Sequence, residues 1–202
     1  IISLLRINEV EVSSSDSDDG SGDESDGVLT VDADGGADSY ETVSGALQNA
    51  EDGDTVRVEN GTYTNAAGLT ITTANVTLTA AEGASPTFST SPDSASGTAA
   101  IDIQADGVTV SGLTVERVAA GDRATDSRHA QGIIVRSSNV TVENNDVVGD
   151  LSATSNEFDL FDAITVIDAS TVENVDVVNN DIPGFDTGIV VTTSYVGDVC
   201  VV

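Results

Sequence analysis

Pairs of branched apolar residues recur along the chain: Leu69/Ile71, Ile101/Ile103, Ile133/Val135, Ile164/Val166 and Ile189/Val191, at steps of 32, 32, 31 and 25 residues. A second series runs beside it, Val76/Leu78, Val108/Val110, Val140/Val142 and Val175/Val177, and NVTVENNDVVG from Asn139 realigns with NVDVVNNDIPG from Asn174 at an offset of 35. Each unit holds two or three strands of alternating polarity joined by glycine and asparagine turns. No unit can bury its apolar face alone. Stacked at about 4.8 Å, the units give parallel sheets around a continuous valine and isoleucine core. A β-sandwich does not account for steps near 32. The expected fold is therefore all-β, a parallel β-helix solenoid of about five coils. Asn145 and Asn180 take the same place in successive coils and are placed to hydrogen-bond along the stack.

The flanks of the repeat differ in kind. Ser13 to Gly27 reads SSSDSDDGSGDESDG, with no apolar residue. Such a segment cannot bury enough surface to offset its ordering entropy. Residues 1–27 are thus expected to be a disordered acidic linker or processed N-terminal region, and 28–202 the β-helix. Between them, Val28 to Val31 reads as a strand. A short capping helix is expected to open at Asp38 with Glu41 in capping-box spacing, and Val43, Ala46, Leu47 and Ala50 share one face. Asp52-Gly53 is its stop. At the far end nothing after Val191 resembles a capping helix. C-terminal truncation or a chain–chain contact at an open end is expected. Cys200 is expected in the core there.

The run VDADGGADSYETVSGALQNAEDGDTVRVENGTYTN, Val31 to Asn65, resembles the N-terminal cap of right-handed parallel β-helix proteins of the pectin lyase-like superfamily. The resemblance extends over roughly Val28 to Val202 and implies a right-handed solenoid, with Tyr63 packing at the cap. It also implies polysaccharide bound along an outer strand face walled by longer loops. It does not fix an activity, since the superfamily holds lyases, hydrolases, esterases, epimerases and non-catalytic surface proteins. The chain departs from the pectinesterases: it has no tryptophan for their glycine-arginine-proline-tryptophan element, and FDLFDAI at 158–164 matches their aspartate motif only loosely.

Charge narrows the partners. Thirty-five acids face six bases, all arginine, for a formal charge of -29. That surface repels nucleic acid, and no apolar run approaches a membrane span. A lone cysteine excludes an internal disulfide framework. Acid-rich, lysine-free chains resemble those of haloarchaea, whose surroundings screen charge to about 3 Å at 1 M salt. The expected location is extracellular or at the cell surface.

Four of the six arginines, Arg117, Arg123, Arg128 and Arg136, fall within twenty residues, together with the only histidine, His129. Arginine forks bind carboxylate or sulfate bidentately, and a desolvated arginine beside a metal-bound uronate can act as base in β-elimination. Two carboxylates such as Asp126 and Asp159 can instead divide the roles of glycoside hydrolysis. The catalytic candidates are Arg128, Arg136, His129, Asp126 and Asp159. Strand alternation puts Asp102 and Gln104 on the outer face, and these join Arg117 and Arg123 as substrate-binding candidates. Glu157, Asp159 and Asp162 are candidates for Ca2+. Against this stands the plain reading that the arginines only relieve acidic repulsion through surface ion pairs. The expectation is a polysaccharide- or glycan-engaging protein, with lyase or hydrolase chemistry through residues 117–162. The alternative is a non-catalytic structural or adhesive module, or a viral fibre segment. Three N-x-Thr sequons, at Asn60, Asn75 and Asn139, complete the inventory.

Overall fold

The structure is a computed structural model that describes residues 27–36, 38–65, 68–90, 99–117, 130–149, 161–167, 172–185, 187–192 and 199–202. Strand β1 (Val28–Val31) and helix α1 (Val43–Asn49) precede the coils. The first coil is β2 (Thr55–Val58), β3 (Thr62–Thr64) and β4 (Leu69–Ile71). The second is β5 (Thr77–Ala80), β6 (Thr87–Thr90) and β7 (Ala99–Ile103), and the third β8 (Thr109–Ser111), β9 (Thr114–Arg117) and β10 (Ala130–Val135). The fourth is β11 (Val140–Glu143), β12 (Asp146–Gly149) and β13 (Phe161–Ile167). The last strands are β14 (Val175–Val178), β15 (Thr187–Thr192) and β16 (Val199–Val201).

Equivalent strands of successive coils stack into three parallel sheets: β1-β2-β5-β8-β11-β14-β16, β15-β13-β10-β7-β4 and β12-β9-β6-β3. This is the expected all-β parallel β-helix. The register reproduces the sequence repeat residue by residue. Leu69 pairs with Ile101, Ile101 with Ile133, Ile133 with Ile164 and Ile164 with Ile189. Leu78 likewise pairs with Val110, Val110 with Val142 and Val142 with Val177. These side chains point inward and form one continuous core, most of it fully buried. Burial of a branched side chain of this size stabilises by about 1.5–3 kcal/mol.

The corners are built by asparagine and glycine. Asn75, Asn139 and Asn174 all adopt left-handed φ values of 56–58°, which asparagine tolerates better than other side chains. The Asn174 amide donates to the Asn139 carbonyl oxygen at 3.0 Å, and that of Asn75 to Asp52 at 2.7 Å. Gly107 lies against Asn75, where a Cβ would strike the Asn75 amide oxygen. At the next corner Asn144 and Asn179 are left-handed, and the side chains that follow them, Asn145 and Asn180, turn inward and bond along the stack. The Asn145 Oδ1 accepts from the Leu113 N–H at 3.1 Å, while its Nδ2 donates to the Val110 carbonyl at 3.0 Å and to Asn180 Oδ1 at 3.0 Å. Asn180 repeats the pattern, its Nδ2 donating to the Val142 carbonyl at 2.8 Å. The expected asparagine stack is present.

Two expectations are corrected. The helix opens at Val43 with Thr42 as its cap, the hydroxyl accepting from the Gly45 N–H at 3.1 Å, not at Asp38 with Glu41. The reason is that Tyr40 forms a parallel bridge with Val31, bonded through Thr30 and Asp32, which holds the chain extended where a first turn would begin. Cys200 is exposed, not in the core. It pairs with Asp176 on the outward row, and alternation gives the inward-facing positions to Val199 and Val201, which pair with Val175 and Val177.

Tyr63 packs at the cap as expected. It is 5 % exposed, and its hydroxyl donates to the Glu59 carbonyl at 3.0 Å with the Val31 carbonyl at 3.2 Å sharing the proton. Burial pushes the phenol above the ordinary tyrosine value, and the charges of Asp32, Glu59 and Asp34 add to the rise. The Asp32 to Gly36 stretch is a turn, with the Asp34 N–H donating to Asp32 Oδ1 at 3.0 Å. Residues 1–26, which carry the expected acidic linker, lie outside the described residues.

Candidate functional site

Two consecutive coils bring three of the expected residues together on the outer face of the five-stranded sheet. Ile101 and Ile103 fill the core, so Asp102 on β7 and Gln104 just beyond it face outward. Ile134 of β10 is the register partner of Asp102, and Arg136 follows two residues later on the same side. From there the Arg136 Nε donates to Asp102 Oδ1 at 2.8 Å. The Gln104 Nε2 donates to the other carboxylate oxygen at 2.9 Å. Both oxygens of Asp102 are thereby engaged.

The pair is 39 % exposed at arginine and 20 % at aspartate. An ion pair so placed contributes about 0–1 kcal/mol, too little to be a main support of the fold. Its geometric effect is larger. Nε is held by Asp102, and among the described residues no acceptor lies on Nη1 or Nη2. The guanidinium is oriented with its outer edge open among the described residues, the form in which arginine binds a planar anion through two parallel bonds.

The row running through Asp102 continues along the sheet as Thr70, Asp102, Ile134, Thr165 and Val190. Ile134 is 1 % and Thr165 2 % exposed, although both stand on the outward side. Among the described residues the Thr165 hydroxyl has no hydrogen-bond partner. A buried hydroxyl left unpaired costs about 1–3 kcal/mol. Burial of these outward positions was not anticipated, but the sequence carried a signal of it: an isoleucine in the outward phase of a strand is an apolar side chain in need of cover.

Other candidates are placed less completely. Asp162 is 7 % exposed near the start of β13, where it pairs with Gln131 and Thr187. The described residues contain no group of three or more His, Cys, Asp or Glu placed to hold a metal ion. Arg117 ends β9, its backbone paired with Gly149 and Thr90 in the four-stranded sheet, a different sheet from that of Asp102 and Arg136. Arg123, Asp126, Arg128, His129, Glu157 and Asp159 lie outside the described residues. The strands that follow those two segments start side by side, with Ala130 paired to Phe161.

A cavity of about 410 Å³ lies elsewhere, between the start of α1 and β3, lined by Glu41, Thr42, Ser44, Thr62, Tyr63 and Phe88 among others. Among the described residues no helix is long and apolar enough to cross a membrane.

No protein-family profile matches the sequence. No curated protein matches it either. Among solved structures, a pectin methylesterase variant in complex with a hexasaccharide is 14 % identical, with the match covering 75 % of this chain and 66 % of that chain, just under two thirds, at a TM-score of 0.39. The pectin methylesterase from Aspergillus niger in penultimately deglycosylated form is 19 % identical over 80 % of this chain and 68 % of that one, at a TM-score of 0.40. Its deglycosylated form is 17 % identical over 84 % and 85 %, at a TM-score of 0.38. Likeness at this level carries no function over to this chain.

Proposed function

We propose that this β-helix engages an acidic polysaccharide along the outer face of its five-stranded sheet, at the cell surface or outside the cell. One observation carries the reading: Asp102 and Gln104 from one coil and Arg136 from the next meet on that face, with the arginine oriented and its outer nitrogens unclaimed among the described residues. In a chain of charge -29, a fixed guanidinium is a rare place for a polymer carboxylate to dock. The open part of that face is local: Thr70, Gln104 and Arg136 are exposed, while Ile134 and Thr165 further along the row through Asp102 are covered.

Both Asp102 oxygens accept hydrogen bonds within the cluster. This observation favours a recognition role for that carboxylate and aligns with the second reading, a non-catalytic adhesive module. Lyase or hydrolase chemistry, with or without Ca2+, then falls to Asp126, Arg128, His129, Glu157 and Asp159. A product assay separates the two. Uronate-containing and neutral polysaccharides are incubated with the chain in high salt with calcium, following reducing ends and the ultraviolet absorbance of unsaturated sugars together. Turnover abolished by Arg128→Ala supports the enzyme, with the absorbing product marking a lyase. Binding without turnover across the panel supports the adhesive module, and the absence of both overturns the polysaccharide reading.

A further inference from the structure

The three sequons sit in different structural settings. Asn75-Val76-Thr77 and Asn139-Val140-Thr141 lead into β5 and β11, strands with a neighbour on both sides in the seven-stranded sheet. Their backbones are bonded in both directions. The Asn75 N–H donates to the Asp106 carbonyl while that of Thr77 donates to Asp54, and the Asn139 N–H donates to Glu173 while that of Thr141 donates to Val108. Both asparagines are left-handed. The Asn75 Nδ2 is spent on Asp52 at 2.7 Å, whereas Asn139 is held through its Oδ1, which accepts from Asn174 Nδ2 at 3.0 Å.

Asn60-Gly61-Thr62 differs in its backbone setting and in its hydroxyl. It leads into β3, the end strand of the four-stranded sheet, whose only partner in that sheet is β6. All three asparagines are exposed, but of the three threonines only Thr62 is, while Thr77 and Thr141 are half-buried. The Asn60 Oδ1 accepts from the Ser85 N–H at 2.8 Å. That bond fixes the carboxamide by its oxygen, and among the described residues no acceptor lies on Nδ2. Thr62 also lines the cavity beside α1, so the edge has open volume next to it.

We propose that Asn60 is an N-glycan acceptor, and that the fold shields Asn75 and Asn139 from the same modification. An asparagine–glycan transfer needs the sequon in an extended, accessible form with the amide nitrogen and the hydroxyl two residues on both reachable. Asn60 Nδ2 forms a bond to C1 of a lipid-linked oligosaccharide, the C1–O bond to the lipid diphosphate breaks, and one amide proton is released. The inference rests on the reading of the chain as exported, but not on its binding of polysaccharide.

The test uses the folded full chain, a single-subunit oligosaccharyltransferase and a lipid-linked oligosaccharide, with glycan occupancy read by peptide mass spectrometry. Three synthetic peptides carrying the sequons serve as unfolded acceptors. All three peptides are expected to be modified. In the folded chain, occupancy at Asn60 is expected to exceed that at Asn75 and Asn139 by at least about tenfold, since the latter react only through local opening of interior strands. Asn60→Gln removes the modification from the folded chain. Equal occupancy at the three sites, or none at Asn60 while its peptide is modified, overturns the proposal. Neither result bears on the polysaccharide assay.

Discussion

Asn145 and Asn180, 35 positions apart, occupy one column of the solenoid, the amide of the first donating to the carbonyl oxygen of the second at 3.0 Å. The column does more than join two side chains. Each asparagine follows a left-handed residue, and at such a corner the strands end and leave backbone groups without ladder partners. The amides restore those bonds: Leu113 N–H and Val110 C=O to Asn145, Asn145 N–H and Val142 C=O to Asn180. Asn145→Ala therefore leaves several buried groups unpaired. Thermal or chemical unfolding is expected to show a loss of about 2–4 kcal/mol. Asn174→Gly, at an exposed corner whose left-handed φ glycine keeps without strain, is expected to lose under about 1 kcal/mol by the same measurement.

Where the chain enters β10, space is the limiting quantity. A Cβ at Gly132 would lie 2.5 Å from the Ala163 carbonyl oxygen and 2.7 Å from Val147 Cγ1. Gly132→Ala has to move either a backbone or a core side chain, at a cost of about 1–3 kcal/mol. Gly188→Ala is the control, since nothing lies within 4 Å of its Cβ position. Equal midpoints for the two variants in urea would contradict this account of the packing at Gly132.

Tyr63 makes stability depend on alkaline pH. Its phenol is raised above the ordinary value, so the folded chain holds the proton after the unfolded chain has released it. The contribution is constant below the usual tyrosine range near 10 and falls as pH climbs through the folded value. Unfolding free energy followed from pH 8 upward should decline past about 10. In Tyr63→Phe that decline should be smaller, from a lower starting stability, because the bond to Glu59 is gone.

The formal charge of -29 predicts a salt requirement. Circular dichroism is expected to show β structure in about 2 M KCl and its loss in dilute buffer, where acidic self-repulsion is unscreened. Full signal at low salt would contradict that requirement.

The solenoid was legible because a parallel stack imposes the same inward positions on every coil. Ile101, Ile133 and Ile164 had to recur, and the spacing of their recurrence is the register itself. Asp102, Gln104 and Arg136 were legible for the same reason: alternation inside a strand decides which face a residue takes. The ends were harder. Asp38 and Glu41 carry the pattern of a helix start, but the bridge from Tyr40 to Val31 overrides it, and a long-range pairing leaves no local mark. Cys200 was misplaced because an apolar run, VCVV, hides its own phase. The segments around Arg128 and Glu157 have no repeat to fix them, so their residue types alone suggest chemistry without placing it.

The central claim rests on Arg136 as the oriented cation of a polysaccharide-binding face. Titration of a homogalacturonan oligosaccharide into the folded chain at fixed salt, by calorimetry, tests it most directly. Wild type is expected to bind, Arg136→Ala to lose at least about tenfold in affinity, and Arg136→Lys to recover only part of it, because lysine cannot reproduce the fork. Unfolding midpoints of all three should stay close, since the exposed ion pair adds little stability. Binding of equal strength by wild type and Arg136→Ala, or none by wild type, would contradict the account.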